Sequence, residues 1–293
     1  MSRPPTFVPP ACATARTLRT DRGDFAVLDA VPPHGVPVVG TVLMLPGFTG
    51  SKEDFVALLE PIAAAGYRAV TVDGRGQYET EGPDDESAYA QDELARDVLA
   101  QARALTDAGT DARARPPALL GHSLGGQVAR AAVLLAPDAF SSLTLMSSGP
   151  AEIAPTQQAR AKMLADALAV LSMDEVWQAM QAMEPPPPED ADTGADDSEA
   201  LRARWLRHNP AQLIATGRQL STEPDRVDEL AATPLPKHVL SGERDDTWPV
   251  PLLDDMARRL RARRSVIAGA EHSPNTDRPT ETAAALIAFW DQV

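Results

Sequence analysis

The chain has 293 residues, 43% of them apolar, enough for one large core or two smaller ones. It carries 42 acidic against 27 basic residues, a formal net charge of −15 that makes nucleic acid and anionic membrane surfaces poor partners. No apolar run reaches the roughly 18–20 residues of a membrane span, and a single cysteine, Cys12, excludes an intramolecular disulfide and a metal site built on several thiolates.

Met1 to Pro10 holds one arginine and four prolines without an apolar h-region. It reads as the start of an N-terminal arm (residues 1–23) on a soluble, cytoplasmic protein, not as a secretory signal. Phe25–Ala30 and Val38–Leu45 are short apolar runs bounded by turn residues, the pattern of buried strands. Ser51 and Asp54 then look like a capping-box variant opening a helix with Phe55, Leu58, Leu59 and Ile62 on one face. Strand Tyr67–Asp73 leads to a second helical stripe, Leu94, Val98, Ala102 and Leu105, closed by Gly109. Strand Ala118–Gly121, helix Gly125–Leu135 and strand Leu143–Ser147 follow. Between about Gly149 and Thr233 the strand signals stop, and helical patterns cover Gln157–Leu171, Asp174–Met183, Glu199–Arg207 and Ala211–Leu220. Glu184 to Glu199 holds seven acidic residues and no basic one, and is expected to be a mobile loop because it buries too little apolar area to offset its ordering entropy. Strands His238–Ser241 and Ser265–Ala268 and a helix Thr280–Trp290 complete the chain.

Most of these strands are continuously apolar, as expected where helices cover both faces of a parallel sheet. The alternation therefore predicts an α/β protein with a mainly parallel, doubly wound sheet. Residues 24–149 and 234–293 form its core, and 150–233 an inserted helical cap with an acidic, proline-rich loop.

The strongest chemical signal is Gly121-His122-Ser123-Leu124-Gly125, a G-x-S-x-G entered by a strand and left by a helix. A serine hydroxyl is a weak nucleophile and must stand clear of the backbone where a base can reach it, which a sharp strand-to-helix turn achieves. The helix N-terminus behind Ser123 also favours developing negative charge. A glycine-rich turn with an incidental serine is the plainer alternative.

With this elbow the chain resembles the α/β-hydrolase family over about Phe25 to Trp290, the cap being the loose part. The family's order of serine, acid and histidine is matched by Ser123, then Ser241-Gly242-Glu243-Arg244-Asp245-Asp246-Thr247-Trp248-Pro249, then Gly269-Ala270-Glu271-His272-Ser273-Pro274-Asn275. The resemblance implies His272 as general base and Asp245 as the acid that orients it. Asp246 is the adjacent alternative, and Glu152 the candidate if the acid follows the preceding sheet strand. It implies an oxyanion hole from the N–H groups of Leu124 and Phe48, the latter in Leu45-Pro46-Gly47-Phe48-Thr49-Gly50, where many relatives have His-Gly in place of Pro46-Gly47. Val72-Asp73-Gly74-Arg75-Gly76 resembles the family's D-x-R-G turn, whose arginine braces loops. Of the other histidines, His34 and His208 read as surface residues, His238 lies inside a strand, and His122 occupies the variable elbow position.

Met163, Met173, Met180 and Met183 recur in the cap, either as an adaptable roof over apolar substrate or as contacts between cap helices. No P-loop, no G-x-G-x-x-G after a strand and no metal-ligand spacing is present, so no cofactor is implied. The expected activity is hydrolysis of a carboxylic ester, lactone or thioester through an acyl-serine, on a small, neutral and largely apolar substrate. Serine at the elbow argues against the family's epoxide hydrolases and haloalkane dehalogenases, which use aspartate there. Amide or carbon–carbon hydrolysis, acyl transfer, and a non-catalytic ligand-binding protein remain as alternatives. The acidic loop is expected to disfavour anionic substrates at low ionic strength.

Overall fold

In the computed structural model, which describes residues 3–107, 115–183 and 195–293, eight strands build one sheet. They are β1 (Ala13–Thr20), β2 (Gly23–Ala30), β3 (Gly40–Leu45), β4 (Tyr67–Val72), β5 (Ala118–His122), β6 (Leu143–Met146), β7 (Lys237–Gly242) and β8 (Arg263–Ile267). Their order is β1-β2-β4-β3-β5-β6-β7-β8, antiparallel for β1 with β2 and β2 with β4, and parallel from β4 to β8. The helices are α1 (Val56–Ala64), α2 (Gln91–Asp107), α3 (Leu124–Leu135), α4 (Pro155–Leu168), α5 (Met173–Met183), α6 (Ala195–Arg207), α7 (Pro210–Leu220), α8 (Val227–Ala231), α9 (Val250–Leu260), α10 (Pro274–Asp277) and α11 (Pro279–Trp290). None of the described helices is long and apolar enough to cross a membrane.

The unbroken apolar runs have a two-sided purpose. Successive side chains of a strand point to opposite faces, so Leu43 and Leu45 of β3 join one core while Val42 and Met44 join the other. The first core is closed by α2, α3, α8 and α9, the second by α1 and α11. A third apolar cluster lies in the region between β6 and β7, where Leu168, Val176, Trp177, Leu201, Trp205 and Leu213 from α4 to α7 pack together as a cap. Inside the span expected to be cap, α8 packs instead on α3 and α9 through Val227 and Leu230.

Several expectations change. Residues 13–20, assigned to an arm, form edge strand β1, whose only fully buried side chain is Leu18. A strand with one buried residue has no apolar run to announce it. Earlier in the same arm, Phe7 packs against the cap cluster. Lys52–Phe55 is a turn of 3-10 helix without a side-chain cap: Ser51 Oγ donates to Glu53 (2.6 Å), and the carboxylates of Glu53 and Asp54 are taken by buried cations. Helix α9 has no counterpart among the predicted elements, although Leu253, Met256, Ala257 and Leu260 recur at helical spacing and are buried. Helix α6 starts at Ala195, inside the segment expected to be a loop; the rest of that acidic run, 184–194, and Gly109 lie outside the described residues.

Candidate active site

The elbow follows from local packing. Strand β5 ends at His122, Ser123 adopts φ 55° and ψ −120°, and α3 begins at Leu124. That region favours glycine, and the serine is held there by its N–H to Met146 O (2.9 Å) and by Gly126 N–H to Ser123 O (2.9 Å). Gly125 has to be glycine for another reason: a Cβ there would collide with Leu45 O, so its absence lets the elbow sit against the loop after β3.

The other two fragments arrive from neighbouring strands. β7 leads into the Asp245 turn and β8 into the His272 loop, and Gly242 lets the two touch, since a Cβ on it would strike Glu271 O. His272 Nε2 lies 3.1 Å from Ser123 Oγ, and His272 Nδ1 lies 3.0 Å from each carboxylate oxygen of Asp245. The Asp245 carboxylate is fully buried, and its Oδ1 also accepts N–H bonds from Thr247 (2.8 Å) and Trp248 (3.1 Å). A carboxylate so held accepts a hydrogen bond from Nδ1–H, fixing the tautomer that leaves unprotonated Nε2 facing the serine hydroxyl. The structure thus brings Ser123, Asp245 and His272 together. It does not bring Asp246 or Glu152 to them. Asp246, largely exposed, accepts from Gln157 Nε2 of α4 (2.6 Å), and Glu152 is at the surface.

Phe48 and Leu124 flank Ser123. Leu45 pairs in register with Gly121, so the loop from Leu45 to Gly50 starts beside the elbow, and Gly47 lies against Ser123 Cβ. Neither the Phe48 nor the Leu124 N–H donates a hydrogen bond among the described residues. Gln77, in the turn after β4, donates to Gly47 O (2.9 Å) while its Oε1 accepts from Gly74 N–H (2.9 Å). Arg75 in that turn grips Asp97 of α2 through two bonds of 2.8 and 2.6 Å.

Two histidines stand where no sequence signal announced them. His122 is buried, its ring 5.2 Å from that of His272 and its Nε2 2.9 Å from His272 O. Burial, reinforced by His272, pushes it down to about 4, so the ring is neutral and donates from Nε2. His208, expected at the surface, is buried with its ring nitrogens 2.9 Å from Arg204 O and 3.1 Å from Gly50 O. His34 is exposed, and His238 is buried within β7.

Ser123 and His272 open into a cleft of about 900 Å³ under the cap. Its roof is mainly apolar, with Met163, Leu164, Val176, Met180, Met183 and Trp205 beside the charged Arg160 of α4, whereas Met173 packs inside the cap cluster. Gln157, Asp246, Thr247, Glu271 and Ser273 line the His272 side. Among the described residues no group of three or more His, Cys, Asp or Glu is arranged to hold a metal ion. The arrangement can pass a proton from a serine hydroxyl to an oriented imidazole, beside backbone N–H groups that find no acceptor among the described residues and under a mainly apolar roof.

Comparison with known proteins gives concordant relatives. The sequence profile of the alpha/beta hydrolase family matches residues 42–285. A pimeloyl-[acyl-carrier protein] methyl ester esterase of Aeromonas hydrophila subsp. hydrophila is 33% identical over 176 residues, 56% of this chain and 66% of that protein, just under two thirds of its length. The protein of the same name from Edwardsiella ictaluri is 31% identical over 247 residues, 79% of this chain and 86% of its own. Among solved structures, a thermophilic esterase from Thermogutta terrifontis superposes with a TM-score of 0.73 at 21% identity, covering 96% of this chain and 99% of that one. At that identity the likeness concerns the fold alone.

Proposed function

The chain belongs to the alpha/beta hydrolase family, and from that premise we propose that it is a serine hydrolase cleaving carboxylic esters, lactones or thioesters through an acyl-serine. The observation that carries this reading is the unbroken chain of contacts from Asp245 through His272 to Ser123, beside the Phe48 and Leu124 amides, which find no acceptor among the described residues.

In this reading Ser123 Oγ attacks the carbonyl carbon as His272 Nε2 takes its proton, and the carbonyl oxygen becomes an oxyanion held by Phe48 and Leu124 N–H. Asp245 keeps the Nδ1 proton in place and stabilises the imidazolium. His272 returns the proton to the leaving oxygen or sulfur, the acyl bond to that atom breaks, and acyl-Ser123 remains. Water enters, gives a proton to His272 and its oxygen to the acyl carbon; the proton then returns to Ser123 Oγ as the acid departs. The apolar roof supports a small-molecule substrate that is neutral and largely apolar in its acyl part. The curated relatives named as methyl ester esterases support an ester before an amide.

The test is labelling with a fluorophosphonate, followed by mass spectrometry of the modified peptide. A stoichiometric adduct on Ser123, absent in His272→Ala, together with turnover of an activated ester that Ser123→Ala loses, is the expected result. A folded protein that binds ester-like ligands but forms no adduct and shows no turnover would replace this reading with a ligand-binding role.

A further inference from the structure

The loop carrying the Phe48 N–H is held from the cap as well as from the core. On the core side Gln77 fixes Gly47 O. On the cap side, Arg204 of α6 reaches across to the turn that follows the loop, with Nη1 2.8 Å from Asp54 Oδ1 and 3.4 Å from Ser51 Oγ; both members of the Arg204–Asp54 pair are fully buried. Asp54 Oδ2 lies so close to Gly50 that a Cβ on that glycine would overlap it. One turn beyond Arg204, His208 approaches Gly50 O at 3.1 Å. The cap also takes the far end of the loop, because the Phe48 ring packs on Gly217 of α7, where an added Cβ would stand 3.0 Å from Phe48 Cζ.

Asp54 has a second connection. Its backbone oxygen accepts from Asn275 Nδ2 (2.7 Å), three residues after His272. One buried carboxylate residue therefore links the cap, the Phe48 loop and the His272 loop. A buried ion pair is costly to desolvate and adds little net stability compared with apolar packing, so stability alone does not account for one beside the site. It gives a fixed geometry, since a short charge-assisted Nη1–Oδ1 bond between two fully buried side chains holds the turn at a set distance from α6.

We propose that Arg204 and His208 are positioning residues of the oxyanion pocket: through Asp54 and Gly50 they set the Phe48 N–H, so the cap governs the chemical step as well as covering the substrate. This inference rests on the acyl-serine reading above. A cap that only roofs the cleft would act on KM and acyl preference. A cap that places an oxyanion donor acts on kcat, because that bond strengthens in the transition state and not in the bound ester.

The experiment compares Arg204→Met, Arg204→Lys, His208→Leu and His208→Gln on p-nitrophenyl acetate. It also measures inhibition by the product acid and by a trifluoromethyl ketone, which adds Ser123 Oγ to its carbonyl and places an oxyanion in the same pocket. Arg204→Met and His208→Leu should lower kcat about 10- to 100-fold, with ketone affinity falling in parallel and KM and acid affinity within about two-fold. Arg204→Lys and His208→Gln, which keep a donor, should recover part of the loss. Unchanged kcat in folded variants overturns the proposal, as does a loss confined to KM and acid affinity, or a loss of kcat with ketone affinity intact. Should Arg204→Met not fold, His208→Leu, which removes the contact to Gly50 O and leaves the buried ion pair in place, decides it: kcat and ketone affinity fall together, or the proposal fails. A wild-type protein without a Ser123 adduct would remove the acyl-serine reading itself; the positioning role fails separately only where the wild type labels and turns over normally.

Discussion

Asp245 and Asp246 are adjacent residues of one type in one turn, and their surroundings separate them completely. The Asp245 carboxylate is buried with His272 Nδ1 and two backbone N–H groups around it, whereas Asp246 points outward to Gln157. Asp245→Asn should therefore lower kcat by about three to four orders of magnitude, by offering His272 the wrong hydrogen-bond partner, while Asp246→Asn stays within a few-fold. Steady-state kinetics on one activated ester checks both, and equal losses in the two variants would refute the assignment of roles. The family resemblance put Asp245 ahead of Asp246, but composition and spacing alone left both open, because the two are separated by the Thr247 and Trp248 amides, which depend on the turn's geometry. Ser123 was legible because the elbow is a local device, a strand, a strained residue and a helix within a few positions. His122 and His208 were not, because a lone histidine is buried or exposed according to partners far along the chain: His272, Gly50 and Arg204.

Helix α3 carries the elbow at its start and Arg130 in its middle, and Arg130 is where the cap joins the core. It donates to Pro150 O (2.7 Å) at the exit from β6 and pairs with Glu223 (2.6 Å) after α7, both side chains being almost wholly buried. The neck is closed by Ile153 N–H to Leu220 O (3.0 Å). Glu223→Ala would strand a buried guanidinium, and removing one partner of such a pair costs about 3–5 kcal/mol. Urea unfolding should show a lowered midpoint at unchanged m-value; a change below about 1 kcal/mol would mean that the pair is solvated in solution. The roof gives a second prediction at this scale. Ala179 of α5 faces the cleft beside Met180 and Met183, so Ala179→Trp should cut kcat/KM for long acyl esters about 10-fold or more while leaving acetate esters nearly untouched. An equal change across chain lengths would place the acyl group elsewhere. The alternation of core strands and helices was readable because most of the strands, β3 to β7 above all, are apolar on both faces. Strand β1 and helix α9 were not read, the first because it buries one residue and the second because its apolar stripe is interleaved with Asp254, Asp255, Arg258 and Arg259.

For the molecule as a whole, the buried histidines make acid the weak side. Burial pushes His122 and His208 from an ordinary value of 6.5 down to about 4, and His238 to about 3. An unfolded chain takes up these protons as pH falls through 6.5, whereas the folded protein refuses them until about 4. The unfolded state then binds more protons, so stability is complete above pH 6.5 and is lost progressively as pH drops towards 4. Asp73 works the other way: burial pushes its carboxyl up to about 7 against the pull of Lys52, so the folded state gains relative to the unfolded chain between 7 and 3.8. Three histidines against one carboxyl leave a net loss. Asp29 extends it to lower pH: burial alone would raise its carboxyl, but Arg68 and Arg16 outweigh that and hold it below the ordinary carboxylate range. With about 1.4 kcal/mol for each tenfold change in proton affinity, the fall between pH 7 and pH 4.5 should reach several kcal/mol, read as a declining urea midpoint. His238→Gln, which lies away from Ser123 in the second core beside Phe289, should be less stable at neutral pH yet show a shallower acid slope. A midpoint that stays level from pH 7 to pH 4.5 would mean that these histidines take up protons in the folded state, and that the buried contacts of His122 and His208 open to water.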